Sequence, residues 1–173
     1  MLNRLLHWLG LTARPHDPFN YRSIAYKSKD ISVIFSPQGG CTEAIVQEIV
    51  QAKQEILVLA YAFTSQDIAS AMLAAHDRGV NVQVIVDANE GLCRGNQVDA
   101  LKKEIKVYKD AYHVIAHNKI ILIDKSTVIT GSFNYTSSAE HVNGENLLII
   151  RNSPVCAAYL ANFNAHLAHS IFA

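Results

Sequence analysis

The sequence has no run of some twenty apolar residues, no CxxC pair and no excess of charge of either sign. The first absence excludes a membrane-spanning helix, which needs about 20 consecutive apolar residues. The three cysteines, Cys41, Cys93 and Cys156, are odd in number and widely spaced. Neither a disulfide framework nor a cysteine zinc site follows from them, and each reads as a partly buried free thiol. The 15 Lys+Arg balance the 15 Asp+Glu. That removes the global basic signal of a histone-like or arm-driven nucleic-acid binder, although an enzyme needs only a local positive cleft. Internal repeats and low-complexity tracts are also lacking.

What the chain does have is apolar material. Half of its 173 residues are hydrophobic, enough for one compact domain with a real core. In the opening stretch "MLNRLLHWLGLTARPHDPFN", Leu2, Leu5, Leu6 and Leu9 follow helical spacing and predict a short amphipathic helix. As a signal peptide it is poor, since the apolar run is broken by His7 and no A-x-A site follows. It suits contact with a membrane surface or a partner, or an ordinary packed terminal helix. Pro15 and Pro18 mark a lead-in up to Asp30. Residues 1–30 are therefore set apart as helix and linker, and 31–173 as a single domain.

From residue 31 onward strand and helix patterns alternate. Strands are expected at "ISVIFS" (31–36), "EILVLAYAFT" (55–64), "VNVQVIVDA" (80–88), "HVIAHNKIILID" (113–124), "TVITGS" (127–132) and "ENLLIIR" (145–151). Helices are expected from a Thr42 cap through Lys53, from a Ser65 cap to Gly79 with the stripe Ile68, Met72 and Ala75, over about 96–104, and from Ser153-Pro154 to the end. The fold class is α/β: a mixed, largely buried sheet flanked by helices on both faces.

On a strand, His117 and Lys119 point the same way, about 6.6 Å apart, so both can touch one tetrahedral phosphate. Neutral imidazole is a competent nucleophile near neutral pH, and an ammonium is a compact anion clamp. Ser132 and Asn134 repeat the i, i+2 geometry and supply neutral donors for non-bridging oxygens. Glu145 has the chemistry to accept a hydrogen bond from the histidine and fix its tautomer. Together these groups suit phosphoryl transfer with no metal or other cofactor. Each residue alone has a bland reading, as a structural strand residue or a turn. The joint spacing His117-x-Lys119-x4-Asp124-x6-Gly131-Ser132-x-Asn134 does not.

That spacing matches the HxK(x4)D(x6)GSxN motif of the phospholipase D superfamily at every defined position. "SPQGG", "AYAFTSQDIASAMLAAHDRGVNVQVIVD" and "ENLLII" extend the resemblance to the small bacterial Nuc-type endonucleases over about residues 31–168. The resemblance implies that His117 forms a covalent phosphohistidine and that Lys119 and Asn134 bind phosphate oxygens. Ser132 would line the site, Glu145 would orient His117, and Asp124 would be structural. Residue alternation agrees on Asp124, which stands five positions beyond Lys119 and so faces the other way. Family members work with two motifs, and this chain has one. A two-fold homodimer with the motifs facing each other would meet the need.

The expected activity is a metal-independent phosphodiesterase, a nuclease acting on DNA or RNA with DNA favoured. Hydrolysis of a phospholipid such as cardiolipin by the same site is the alternative, supported only by the N-terminal helix. The compartment stays open, the resemblance pointing to a periplasmic or membrane-associated setting. Arg94, Lys102 and Lys103, with Lys106 and Lys109, are candidate backbone contacts, though lysines on a helix usually form a solvated face. A metallohydrolase built on His113, His117, Asp124 and His141 is disfavoured. Two histidines four apart on a strand lie about 13 Å apart, too far to share an ion.

Overall fold

In the strand Glu55–Ala60, Ile56, Val58 and Ala60 alternate with Leu57 and Leu59, and all five are buried. The odd and even positions enter different apolar clusters, so this strand is covered on both faces. A computed structural model describes residues 20, 22, 25–89 and 95–173. The amphipathic helix expected near the amino terminus, Cys93 and Arg94 lie outside the described residues.

Among the described residues nine strands form one sheet in the order β1-β2-β8-β7-β6-β3-β4-β5-β9. They are β1 (Tyr26–Lys27), β2 (Ile31–Ser36), β3 (Glu55–Ala60), β4 (Asn81–Asp87), β5 (Lys106–Asp110), β6 (Lys119–Ile123), β7 (Thr127–Gly131), β8 (Glu145–Arg151) and β9 (Ile171–Phe172). The helices are α1 (Cys41–Gln51), α2 (Gln66–Asp77), α3 (Val98–Leu101), α4 (Ser137–His141) and α5 (Ser153–His169). Strands β3, β4 and β5 run parallel, and β2, β8, β7, β6 and β3 are antiparallel neighbours. The sheet is mixed and flanked by helices on both faces, as the sequence predicts. Ile45 and Ile49 of α1 and Ile68 and Met72 of α2 cover one face; Cys156 and Phe163 of α5 cover the other. Each large aliphatic or aromatic side chain buried this way contributes about 1.5–3 kcal/mol.

Several boundaries differ from the sequence expectation. Helix α1 starts at Cys41 with Gly40 as its N-cap. Its free amides at Gly40 and Thr42 are taken by the Glu140 carboxylate, 3.1 and 2.7 Å away, and not by a Thr42 side chain. Ser65 does cap α2, accepting from the Ile68 amide, but Asn152, not Ser153, caps α5. Helix α5 stops at His169, and β9 then pairs with β5. Strand β5 has no counterpart in the sequence expectation, and β6 begins at Lys119 and not at His113. Asp110 takes the amides of Tyr112 and His113, and Asp87 takes that of Ala116. Side-chain acceptors thus replace a sheet ladder over this segment.

Asp124 and Lys125 form the tight β6–β7 turn with φ of 51° and 54°. The Asp124 carboxylate accepts from the amides of Lys53, Gln54 and Glu55 at 2.8, 2.8 and 2.9 Å. Partial burial opposes its ionisation, yet these three amides hold its carboxyl below the usual range. A depressed carboxyl adds stability above its unfolded value of about 3.9, and that stability is lost as pH falls through the folded value. Asparagine tolerates the left-handed backbone here, so Asp124→Asn isolates the loss of charge and acceptors. It is expected to cost about 2 kcal/mol at pH 7 and lower Tm by roughly 4–8 °C. In thermal melts the gap from wild type should close as pH is taken well below 4; a gap independent of pH would refute the assignment.

Candidate active site

The carboxyl ends of β2, β7 and β3 and the amino ends of β8 and β6 meet along one edge of the sheet. Register places Ser36 opposite Glu145, and Ala60 opposite Lys119. Every motif residue from His117 to Glu145 except Asp124 lies at this edge; Asp124 is at the other end of β6.

Lys119 is buried, with its Nζ donating to the His117 carbonyl oxygen at 3.2 Å. The same Nζ lies 5.0 Å from the Tyr61 ring centroid, a cation–π distance. Burial pushes the lysine below its ordinary pKa, and the negative charge of Glu145 works against that shift. His117 is exposed at the rim, its ring edge-on to Tyr61 with centroids 4.5 Å apart. Tyr61 therefore supports both His117 and Lys119. Sequence reading treated it only as part of an apolar strand, and no spacing rule singles it out.

Gly131 ends β7 with φ of 145°, and a Cβ there would stand 2.3 Å from the Asn146 carbonyl oxygen. Glycine is required by that close approach. The Ser132 amide donates to the same oxygen at 3.2 Å. Ser132 Oγ donates to Glu145 Oε2 at 2.6 Å and accepts from the Asn146 backbone and side-chain nitrogens at 3.1 and 3.2 Å. Glu145 Oε1 accepts from Asn143 at 3.0 Å. Both carboxylate oxygens are thus engaged by Ser132 and Asn143, and not by His117, the partner expected from the resemblance. Ser36, fully buried, joins the network through its hydroxyl, which donates to the Asn143 carbonyl and accepts from the Glu145 amide. Asn134 is partly buried, and its Oδ1 has no hydrogen-bond partner.

Other expected contributors lie elsewhere. Lys102, Lys103 and Lys106 line a hollow with His76, Gly79 and Asn81 at the amino ends of β4 and β5, the opposite edge of the sheet. Lys102 is also paired with Asp99 at 2.7 Å. His113 does not share a strand with His117, so the 13 Å separation argued from strand geometry does not apply. It gathers with Asp110, His166 and His169, a grouping signalled in sequence by Asp110-x2-His113 and His166-x2-His169 and missed there. The free thiol of Cys41 is pushed up to about 12 by burial and by the charges of Glu140 and Glu145, and burial also raises Cys156. Neither suits nucleophilic work at neutral pH. Among the described residues no helix is long and apolar enough to cross a membrane.

Comparison with known proteins places this edge in context. Residues 45–167 match the family model described as "Cardiolipin synthase, PLD-like domain". A "Phospholipase D" of Rickettsia prowazekii is 39% identical over 146 residues, covering 83% of this chain and 71% of that one. The "Mitochondrial cardiolipin hydrolase" of Mus musculus is 32% identical over 120 residues, covering 69% of this chain and 54% of its own. Among solved structures, the phospholipase D family member Nuc from Salmonella typhimurium superposes with a TM-score of 0.78 at 32% identity, covering 83% of this chain and 97% of Nuc. NucT from Helicobacter pylori shares the fold, with a TM-score of 0.77 at 24% identity, covering 83% and 98%. The family match spans most of the chain and the whole motif-bearing edge: this chain belongs to the phospholipase D superfamily and is a phosphodiesterase of it.

Proposed function

We propose that the chain is an endonuclease that cleaves DNA without a catalytic metal, through a phosphohistidine on His117 in a site shared by two copies. The observation that carries this reading is the pairing of an exposed imidazole with a buried ammonium at one sheet edge, in a chain whose fold follows Nuc over almost all of Nuc's length. The ammonium is held in place before substrate arrives, which is the preorganisation that stabilises charge developing on a phosphate.

In the first step a His117 ring nitrogen attacks phosphorus, forming a P–N bond as the P–O bond to the leaving strand breaks. The leaving oxygen takes its proton from His117 of the second copy. That imidazole, now neutral, accepts a proton from water as the water oxygen attacks phosphorus, and the P–N bond breaks. Lys119 and Asn134 bind the non-bridging oxygens. The donor that role needs is the Asn134 side-chain NH2. Ser132 and Glu145 act together: the carboxylate supports the charge on Lys119, and the hydroxyl fixes the carboxylate.

Support for the second copy comes from the rim. Tyr112, Val114 and Ile115, just before His117, are 75%, 92% and 55% exposed, and Val142, just before Glu145, is 42% exposed. Apolar side chains this exposed beside a half-complete site suit burial against another copy. The same side chains also favour the second reading, phospholipid hydrolysis at a membrane surface, which the names of the rickettsial and mitochondrial relatives carry.

Plasmid, single-stranded DNA, RNA and cardiolipin vesicles offered in parallel separate the readings. DNA cleavage with intact cardiolipin is expected, and the reverse would install the lipid reading. His117→Ala should abolish turnover in a folded protein, and Lys119→Ala should lower it by on the order of 10²-fold or more. Acid-labile phosphate retained on wild type and absent from His117→Ala would mark the adduct; single-step release with no adduct would overturn the covalent route.

The shared site has its own test. Wild type and His117→Ala, unfolded together in equal amounts and refolded, pair at random and leave about a quarter as wild-type homodimers. Activity per total protein should fall towards that quarter. Retention of about half, from a species sedimenting as a monomer, would show independent sites.

A further inference from the structure

Asp110 closes β5, the chain turns through His113, and His166 and His169 stand one helical turn apart at the end of α5. His113 Nδ1, His166 Nδ1 and His169 Nε2 approach the single oxygen Asp110 Oδ2 at 2.9, 2.6 and 3.2 Å. Ligand atoms of all four residues lie within 4.8 Å of one another. We propose that these four side chains form a tetrahedral site for a divalent transition ion of the zinc class, separate from the phosphodiester site, that ties α5 to the segment carrying His117.

Ring geometry is the first support. Zinc–nitrogen bonds of about 2.0–2.1 Å in a tetrahedron place coordinated imidazole centroids about 5 Å apart. The three rings here are 4.8, 5.0 and 5.5 Å apart. Ligand atoms of such an ion lie about 3.3 Å from each other, reached from these positions by side-chain shifts of about 1 Å.

Valence is the second. Asp110 Oδ1 is already used by the amides of Tyr112 and His113 at 3.1 and 3.2 Å. That leaves Oδ2 to meet three ring nitrogens, whereas a carboxylate oxygen has about two lone-pair directions to offer. An ion at the centre uses one lone pair from each of the four groups and leaves none in excess.

The donor set and its surroundings are the third. Three imidazoles and one carboxylate suit zinc-class ions, and not the all-oxygen sites of calcium or magnesium. The backbone amides that orient Asp110 form the outer layer such a site needs. His166 Nε2 lies 3.4 Å from the Asn118 side-chain amide, and that amide, turned about its end, presents an oxygen to a ring N–H. The Asp110 side chain is fully buried, while those of His113 and His169 keep 40% and 28% exposure, which leaves an entry path for the ion. The ion takes no part in the proposed phosphoryl chemistry. Its effect is to hold the 110–118 segment, through Asp110, His113 and Asn118, against α5.

The test uses the full chain, stripped by dialysis against chelator and then titrated with zinc sulfate and, separately, cobalt chloride. One ion per chain is expected, with a zinc Kd under about 1 µM, the intense visible absorption of tetrahedral cobalt(II), and a Tm raised by on the order of 5 °C or more. His169→Gln, at the exposed helix end, should weaken zinc more than about 100-fold and erase the cobalt bands, while His141→Gln on α4 leaves both unchanged. Substoichiometric binding, a pale octahedral cobalt spectrum, an unmoved Tm, or full affinity in His169→Gln would each overturn the site. These readouts do not involve cleavage, so they stand or fall apart from the nuclease reading.

Discussion

The three amide hydrogen bonds to Asp124 hold more than a turn. They fasten the far end of β6 to the start of β3, where the Asp124 amide also donates to the Glu55 carbonyl. Five residues earlier, at the other end of β6, Lys119 pairs with Ala60. All five residues of β6 are buried, so apolarity alone does not tell one register from the next. A slip of one residue would turn Lys119 from the α1–α2 side of the sheet to the α5 side. The carboxylate at the end of the spacing thus helps fix which way the lysine at its start faces, although it lies at the opposite end of the strand.

Given that register, the edge is organised by the cost of burying one ammonium. Among the described residues, a carbonyl, an aromatic face and the field of Glu145 stand in for the hydration of Lys119. Glu145 in turn is held by Ser132 and Asn143, and Ser132 by Asn146 across the close contact that only glycine at 131 permits. The result is a buried cation whose counter-charge is itself held in place by two hydrogen bonds. His117 stands at the rim with its ring packed on Tyr61, so the exposed and the buried parts of the proposed chemistry are two residues apart.

Much of this was legible in the sequence, for reasons that differ by residue. The alternating and continuous apolar runs gave β2, β4 and β8 almost to the residue, because a strand buried on one or both faces leaves a periodic or unbroken signature. The motif spacing picked out residues that meet at one sheet edge, because the positions it spaces lie at the two ends of one hairpin. Long-range capture of amides by carboxylates was not legible. Glu140 capping α1 and Asp87 binding Ala116 depend on contacts far apart in the chain, and Asp110 adds a local capture of the amides two and three residues on. Those same contacts caused the errors at the start of α1 and at His113–Asn118. Tyr61 and Ser36 were missed because an aromatic or a serine at a strand end is ordinary until its neighbours are known.

The misjudged segment is also where the two halves of the molecule's polar chemistry meet. Side chains alternate across the sheet, so Lys119 lies on the α1–α2 side while Asn118 reaches His166 on the α5 side. The Asn118 carbonyl accepts from Tyr61 at 2.9 Å, and Tyr61 packs on His117. A displacement of α5 therefore acts on His117 through two contacts, one side chain and one backbone bond. Irregular backbone at 111–118 has no ladder to resist such a displacement. Its rigidity must come from Asp87 on one side and from the Asp110 and histidine cluster on the other. The positioning of His117 is thus set in part by polar groups behind the sheet, away from the edge where His117 and Lys119 meet.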